Sequence, residues 1–213
     1  VLVAYFSRWG NTDFSSDVDA TTSASITIQD GERQGTTEYF ARQIAEQTGG
    51  DLHLIQTVTP YPADFNEVRD QNHQEIAEGA RPVLASTVNI DDYDTIFIGY
   101  PVWATTVPTP VLSFLESYDL TGKTVIPFCT HDGYGAGSSY QAIANSSAGA
   151  MVKQGLALDL SDTSSYQQEV KTWLDGLGIF QPETADTPIT ITIGDVQLDG
   201  VLYNTPMARE FIQ

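Results

Sequence analysis

Apolar residues in this chain follow two alternating patterns, short unbroken runs and longer stretches of helical period. The run at 1–6 (Val1-Leu2-Val3-Ala4-Tyr5-Phe6) is bounded by polar loop residues, as expected of a strand buried on both faces. Residues 37–48 place Phe40, Ala41, Ile44 and Ala45 on one helical face, with Gly49 as a stop, and so predict a helix. The alternation continues with a less apolar strand at 51–57 and a polar helix at 63–79 anchored by Val68 and Ile76. A strand at 94–100 comes next, then a helix opened by Pro110 that carries Val111, Leu112, Phe114 and Leu115; proline suits a first helical turn. A fourth strand is expected at 123–129, and a helix capped by Ser138 or Ser139 after it. A fifth strand at 152–158 precedes a helix that runs through Leu177, with Tyr166, Val170 and Trp173 on its apolar side and a Ser165–Gln168 capping box. Five strands alternating with five helices imply an α/β fold, a doubly wound parallel sheet covered on both faces.

Two stretches break the alternation. Residues 13–35 are rich in Ser, Thr, Asp and Gly without helical period and read as a long inserted loop. From Pro182 onward Ile189, Ile191 and Ile193 alternate with Thr190 and Thr192, Gly194-Asp195 turns the chain, and Val196 and Leu198 lead back. That predicts an antiparallel hairpin, followed by a short helix from Thr205-Pro206. So small a unit has too little core to stand alone. The expected division is a main domain at 1–180, with its insertion at 13–35, and a tail at 181–213.

Charge narrows the classes of partner. The 213 residues include 28 acidic and 9 basic ones, a formal charge of −19. Such a surface repels phosphate backbones, which argues against nucleic acid and suits docking to a basic protein. No run is long and apolar enough to span a bilayer. The single cysteine, Cys129, allows neither a disulfide framework nor a cysteine-based metal or iron–sulfur site; its simplest reading is a buried strand thiol. Val1 lies in an apolar run with no methionine ahead of it, so removal of an upstream piece is expected. A cytoplasmic location is expected, with an exported form left open.

In an open parallel sheet, ligands bind beyond the carboxyl ends of the strands where strand order reverses, so the loops after strands one, three and four carry the candidate chemistry. After strand one, Ser7-Arg8-Trp9-Gly10-Asn11-Thr12 offers hydroxyls, a glycine and backbone N–H groups, the makings of an anion nest. No Gly-Lys-Ser/Thr is present to hold a nucleoside triphosphate, and a monophosphate suits the loop better. Past the insertion, Gly35-Thr36-Thr37 forms a second hydroxyl-rich turn at a helix N-terminus. It can share that phosphate, or Thr36 and Thr37 can be ordinary helix caps. After strand three, Pro101-Val102-Trp103-Ala104 puts a tryptophan at a strand's end, placed either to stack on a flat heteroaromatic ring or to fill a core or oligomer interface. After strand four, Thr130-His131-Asp132-Gly133-Tyr134-Gly135-Ala136-Gly137-Ser138 has glycines that let backbone approach a ligand edge. His53 and His73 have no partner at ligand spacing. There is no nucleophile elbow and no His–carboxylate cluster at metal spacing, so no catalytic residue and no metal site is assigned.

At these three loops the sequence resembles the flavodoxin family, and more narrowly a bacterial flavodoxin-like group that often carries a cyclophilin-like domain behind it. The segments that carry the resemblance are Val3 to Thr12, Gly99-Tyr100-Pro101-Val102-Trp103 and Val125-Ile126-Pro127-Phe128-Cys129-Thr130-His131; it covers roughly residues 1–180. It implies a five-stranded sheet of order 2-1-3-4-5 and one non-covalent FMN. The phosphate would lie in the first loop, near Ser7, Arg8, Trp9, Asn11, Gly35, Thr36 and Thr37. The ring would lie between Pro101, Val102, Trp103 and Ala104 on one side and Thr130, His131, Gly133, Gly135 and Ser138 on the other. The insertion separates Gly10 and Asn11 from the helix they would normally open. The tail at 188–213 resembles the opening of the cyclophilin-like domain, and only its opening.

Three functions fit this reading. A carrier would pass electrons between redox partner proteins, with the cofactor supplying the chemistry. An FMN-dependent NAD(P)H:quinone-type oxidoreductase would add a nicotinamide site, for which Arg8 or Arg33 are the candidate phosphate contacts. A chain with a vestigial flavin site would act as an interaction module. The carrier is the preferred expectation, and whether the chain is an enzyme stays open.

Overall fold

The first strand, β1 (Leu2–Tyr5), is buried along its whole length, as its unbroken apolar run dictates. The computed structural model describes residues 1–15, 26–29, 31–160, 166–178, 187–193 and 196–202. The chain divides into two compact units, Val1–Trp173 and Leu174–Gln213.

In the first unit β1 is the centre of a parallel sheet. It is flanked by β4 (Asp51–Leu54) and β5 (Thr95–Pro101), and the sheet continues through β6 (Thr124–His131) to the short β7 (Met151–Val152) and β8 (Leu156–Asp159), which both pair with β6. The order β4-β1-β5-β6-β7 is the expected 2-1-3-4-5, with strand order reversing at β1. Helices α1 (Thr36–Thr48), α2 (Phe65–Glu78), α3 (Thr109–Glu116), α4 (Ser139–Ser146) and α5 (Tyr166–Gly176) alternate with the strands. Phe40 of α1 packs edge-on against Tyr166 of α5 with ring centroids 4.9 Å apart. A second core joins Leu2, Ala4 and Phe6 to Val68 of α2, Val111 and Phe114 of α3 and Ile143 of α4. The sheet is thus covered on both sides, and chemistry is left to its rim.

Two expectations are corrected. The insertion is not all loop: β2 (Ile26–Gln29) and β3 (Glu32–Gly35) form an antiparallel hairpin that leads straight into α1. Thr and Ile both favour strands, and Asp30-Gly31 between them is the dipeptide of two-residue hairpin turns, a signal drowned by the surrounding Ser and Thr. The fifth strand is split. Val125 pairs with Val152 but Phe128 with Leu156, so one extra residue bulges beside Pro127, which has no N–H to give a ladder. The Ser165 cap lies outside the described residues.

In the second unit β9 (Thr187–Ile193) and β10 (Val196–Leu202) pair antiparallel from Ile193↔Val196 to Thr187↔Leu202, as the alternation of Ile and Thr requires. The Gly194-Asp195 turn and the helix expected from Thr205 lie outside the described residues. Among the described residues no helix is long and apolar enough to cross a membrane, and no group of His, Cys, Asp and Glu could hold a metal ion.

The helix α2 depends on its cap for its position, because few of its side chains reach the core. The Asp64 carboxylate accepts from the backbone N–H groups of Asn66 and Glu67. Asp64→Ala should lower global stability by about 1 kcal/mol, read from the urea midpoint at unchanged m-value.

Candidate functional site

The loop after β1 is held by one side chain. The Asn11 amide donates to Ser7 O (2.9 Å) and Ile55 O (3.0 Å), while its Oδ1 accepts from Thr57 N (2.8 Å) and Thr57 Oγ1 (3.2 Å). Its backbone N–H is spent on Arg8 O. Every donor and acceptor of the Asn11 side chain has a partner, so the expectation that it holds a phosphate is corrected: Asn11 staples the loop to the segment after β4. Arg8 donates through Nη2 to Pro62 O and Ala63 O, at 3.1 and 3.0 Å, and lies over the Phe14 ring. Burial pulls its pKa down from the usual value, and Asp64 partly offsets this. Trp9 stacks on the same Phe14.

The hairpin β2–β3 delivers Gly35 to the start of α1, directly against this loop. A Cβ on Gly35 would sit 2.0 Å from Ser7 Oγ and 3.1 Å from Trp9 Cβ, so only glycine lets the two segments touch. Ser7, Trp9, Gly35, Thr36 and Thr37 therefore gather at the positive end of the α1 dipole. The Glu38 carboxylate of the first turn reaches back to Gly35 N (3.4 Å) and pairs with Arg42 (2.6 Å). Thr37 Oγ1 lies 3.1 Å from Thr130 Oγ1, linking this turn to the end of β6.

The loops after β5 and β6 are tied to each other. Val102 N donates to Thr130 O (2.9 Å), and Trp103 and Thr106 exchange backbone hydrogen bonds across a two-residue turn. Ala104 and Thr105 in that turn have φ of 47° and 60°, a left-handed conformation that costs on the order of 1 kcal/mol per residue without glycine. The cost is met from the β6 side: Thr105 O accepts from Ser138 N at 2.9 Å and lies within reach of Ser138 Oγ at 3.3 Å. Gly137 makes the approach possible, since a Cβ there would be 2.1 Å from Thr105 O. The Trp103 ring is held edge-on by Phe6 and Tyr61, each with centroids 5.3 Å away. Tyr61 in turn donates to Glu75 Oε2 at 2.8 Å, and burial and that carboxylate push its phenol upward. His131, the last residue of β6, is 8% exposed and packs beside Tyr134, whose hydroxyl returns to Val102 O at 3.1 Å. Cys129 is buried, and burial pushes its thiol up to about 11, which leaves it chemically quiet.

These loops enclose a cavity of about 410 Å³, within the usual range for small-molecule sites. From the expected residues it is lined by Arg8, Pro101, Val102, Trp103, Ala104, Thr130 and His131, with Asp132, Tyr134 and Leu160 beside them. Ser7, Trp9, Gly35, Thr36 and Thr37 are absent from this lining and form the adjoining turn, one hydroxyl contact away through Thr130. Gly133, Gly135 and Ser138 are also absent from the lining; Ser138 acts as the clamp on the Trp103 turn. Arg33 is exposed on β3 and does not line the cavity. The sequence missed a whole wall: Phe65, Val68, Arg69, Asn72 and His73 of α2. The available signal was an asparagine on the same helical face as Val68, one turn away. Three lining residues carry a buried polar atom with no hydrogen-bond partner among the described residues: Arg8 Nε, Asn72 Oδ1 and His131 Nδ1. Each such atom costs on the order of 1–3 kcal/mol if left unmet. All three residues line the one cavity.

Comparison with known proteins agrees with this fold. The flavodoxin family model matches residues 26–177. A crystal structure from Bacteroides eggerthii, assigned as a flavoprotein, is 30% identical with a TM-score of 0.63, covering 84% of this chain and 98% of its own. One from Bacteroides uniformis, with the same assignment, is 28% identical with a TM-score of 0.61, covering 82% and 96%. A flavoprotein of Lactobacillus acidophilus, solved in complex with FMN, shares the fold at 21% identity and a TM-score of 0.56, covering 81% and 97%. No curated protein matches the chain.

Asn11→Ala would leave the carbonyls of Ser7 and Ile55 and the Thr57 amide without partners. Its expected cost is on the order of 3 kcal/mol, measured by chemical denaturation; a loss below 0.5 kcal/mol, roughly the level of an ordinary surface change, would contradict the stapling role.

Proposed function

We propose that this chain, which belongs to the flavodoxin family, binds one FMN at the cavity between Trp103 and His131 and carries electrons between redox partner proteins. The observation that carries the reading is the set of three unmet buried polar atoms, on Arg8, Asn72 and His131, around a slot that also presents a tryptophan ring. A flavin is flat and apolar on its faces and polar along one edge, and the lining matches both demands. Bound FMN would supply reversible one- and two-electron chemistry; the protein supplies position and field.

Trp103 offers a ring face whose tilt is set by Phe6 and Tyr61. Because the turn that bears it is clamped by Ser138, that face is in place before any ligand arrives, which lowers the cost of binding. Ser7, Gly35, Thr36 and Thr37 would hold the phosphate where the α1 dipole favours an anion. Thr130, joined to Thr37, sits between the two regions and suits the linking chain. The formal charge of −19 works against placing further negative charge on the ring, which lowers its reduction potential, and it steers basic partners toward the protein. The FMN complex of the Lactobacillus acidophilus protein, which has the same fold, supports this choice of cofactor.

A second reading, an FMN-dependent NAD(P)H:quinone-type oxidoreductase, draws on the α2 wall. Phe65 is 68% exposed and Arg69 lies one turn further along, an aromatic ring and a cation beside the cavity that could meet a second small molecule.

Purified protein should be yellow, or become so with added FMN, and should quench flavin fluorescence on titration. Trp103→Ala should weaken FMN binding by about tenfold, the equivalent of roughly 1.4 kcal/mol of ring contact; unchanged affinity contradicts the stacking role. Steady oxidation of NAD(P)H with a quinone and no added reductase selects the second reading, and its absence selects the carrier.

A further inference from the structure

The α2 wall carries a polar group that the folding of the chain does not explain. Asn72 lies in the middle of α2, where asparagine is a poor helix former, and it is 3% exposed. Val68 and Asn72 are the buried residues of this helix, one turn apart on one face, and both line the cavity. Val68 belongs to the hydrophobic core, whereas Asn72 Oδ1 has no hydrogen-bond partner among the described residues. A leucine, branched at the same carbon, would occupy the position without burying an unpaired carbonyl.

We propose that Asn72 recognises the imide edge of the cavity's occupant, its Oδ1 accepting a hydrogen bond from the ring N3–H of FMN. The inference rests on the FMN reading above and adds to it a ligand contact from α2. A primary amide presents an acceptor beside a donor, the complement of an edge that presents N–H beside C=O. The pyrimidine ring of a flavin has such an edge, and so does the carboxamide of a nicotinamide. The other unmet atoms on the cavity, Arg8 Nε and His131 Nδ1, belong to groups that do not offer this paired edge. Asn72 also sits on a capped helix fixed by Asp64, so its amide is presented by a rigid element.

The test is a two-by-two titration of flavin-free protein, wild type and Asn72→Leu, with FMN and N3-methyl-FMN, followed by flavin fluorescence. Methylation should weaken binding to the wild type by about tenfold. Asn72→Leu should weaken FMN binding by a similar factor and should no longer distinguish the two flavins. Asn72→Asp, which keeps the acceptor, should retain preference for the unmethylated flavin, and circular dichroism checks that both variants fold. If wild type binds both flavins equally and Asn72→Leu binds FMN as tightly as wild type does, the proposal is overturned. Intact FMN affinity together with lost NADH binding to FMN-loaded Asn72→Leu also overturns it, and hands the amide to a nicotinamide carboxamide. A wild-type protein that binds no FMN at all instead sinks the preceding reading.

Discussion

Two consecutive side-chain-bearing residues, Ala104 and Thr105, are held in the left-handed region, and one carbonyl keeps them there. Thr105 O is met by the amide of Ser138, and Gly137 is bare so that this approach can happen. Release that contact and the turn has every reason to relax, carrying Trp103 with it. Because it holds, the loop after β5 and the loop after β6 behave as one wall, and the cavity has a fixed side before any ligand enters. The remaining loops are pinned with similar economy. Asn11 fastens the first loop to the segment after β4, and Thr37 fastens the start of α1 to Thr130.

The central strands β1, β5 and β6 were legible because they are buried nearly throughout and therefore write unbroken apolar runs. The order came from the resemblance to the flavodoxin family, and the observed β4-β1-β5-β6-β7 agrees with it. The hairpin at 26–35 was not legible, since its pattern of Thr and Ile is embedded in a Ser- and Thr-rich stretch. Nor was the split of the last strand, which depends on which residue faces Pro127 across the ladder.

The site divided in the same way. Trp103, His131 and Arg8 meet at one cavity because each lies at or just past the carboxyl end of a central strand, and that placement is a property of the topology. Asn11 looked like a ligand because its residue type suits an anion nest; only the surrounding backbone reveals that its hydrogen bonds are already used. The α2 wall was invisible for the opposite reason. A polar helix reads as solvated, and no periodicity announces that one of its polar residues, Asn72, points inward with an unmet oxygen. Sequence locates the rim of a parallel sheet well and accounts poorly for which polar atoms along it remain unsatisfied.

The account stands on one ligand occupying one cavity. Nitrogen-15 NMR of the labelled protein during an FMN titration tests this most directly. The account predicts that the indole resonance of Trp103, the side-chain amide of Asn72 and the backbone amides of Thr37 and His131 shift together with a common midpoint. Shifts confined to residues away from the cavity, or a spectrum that does not respond to FMN, would contradict it.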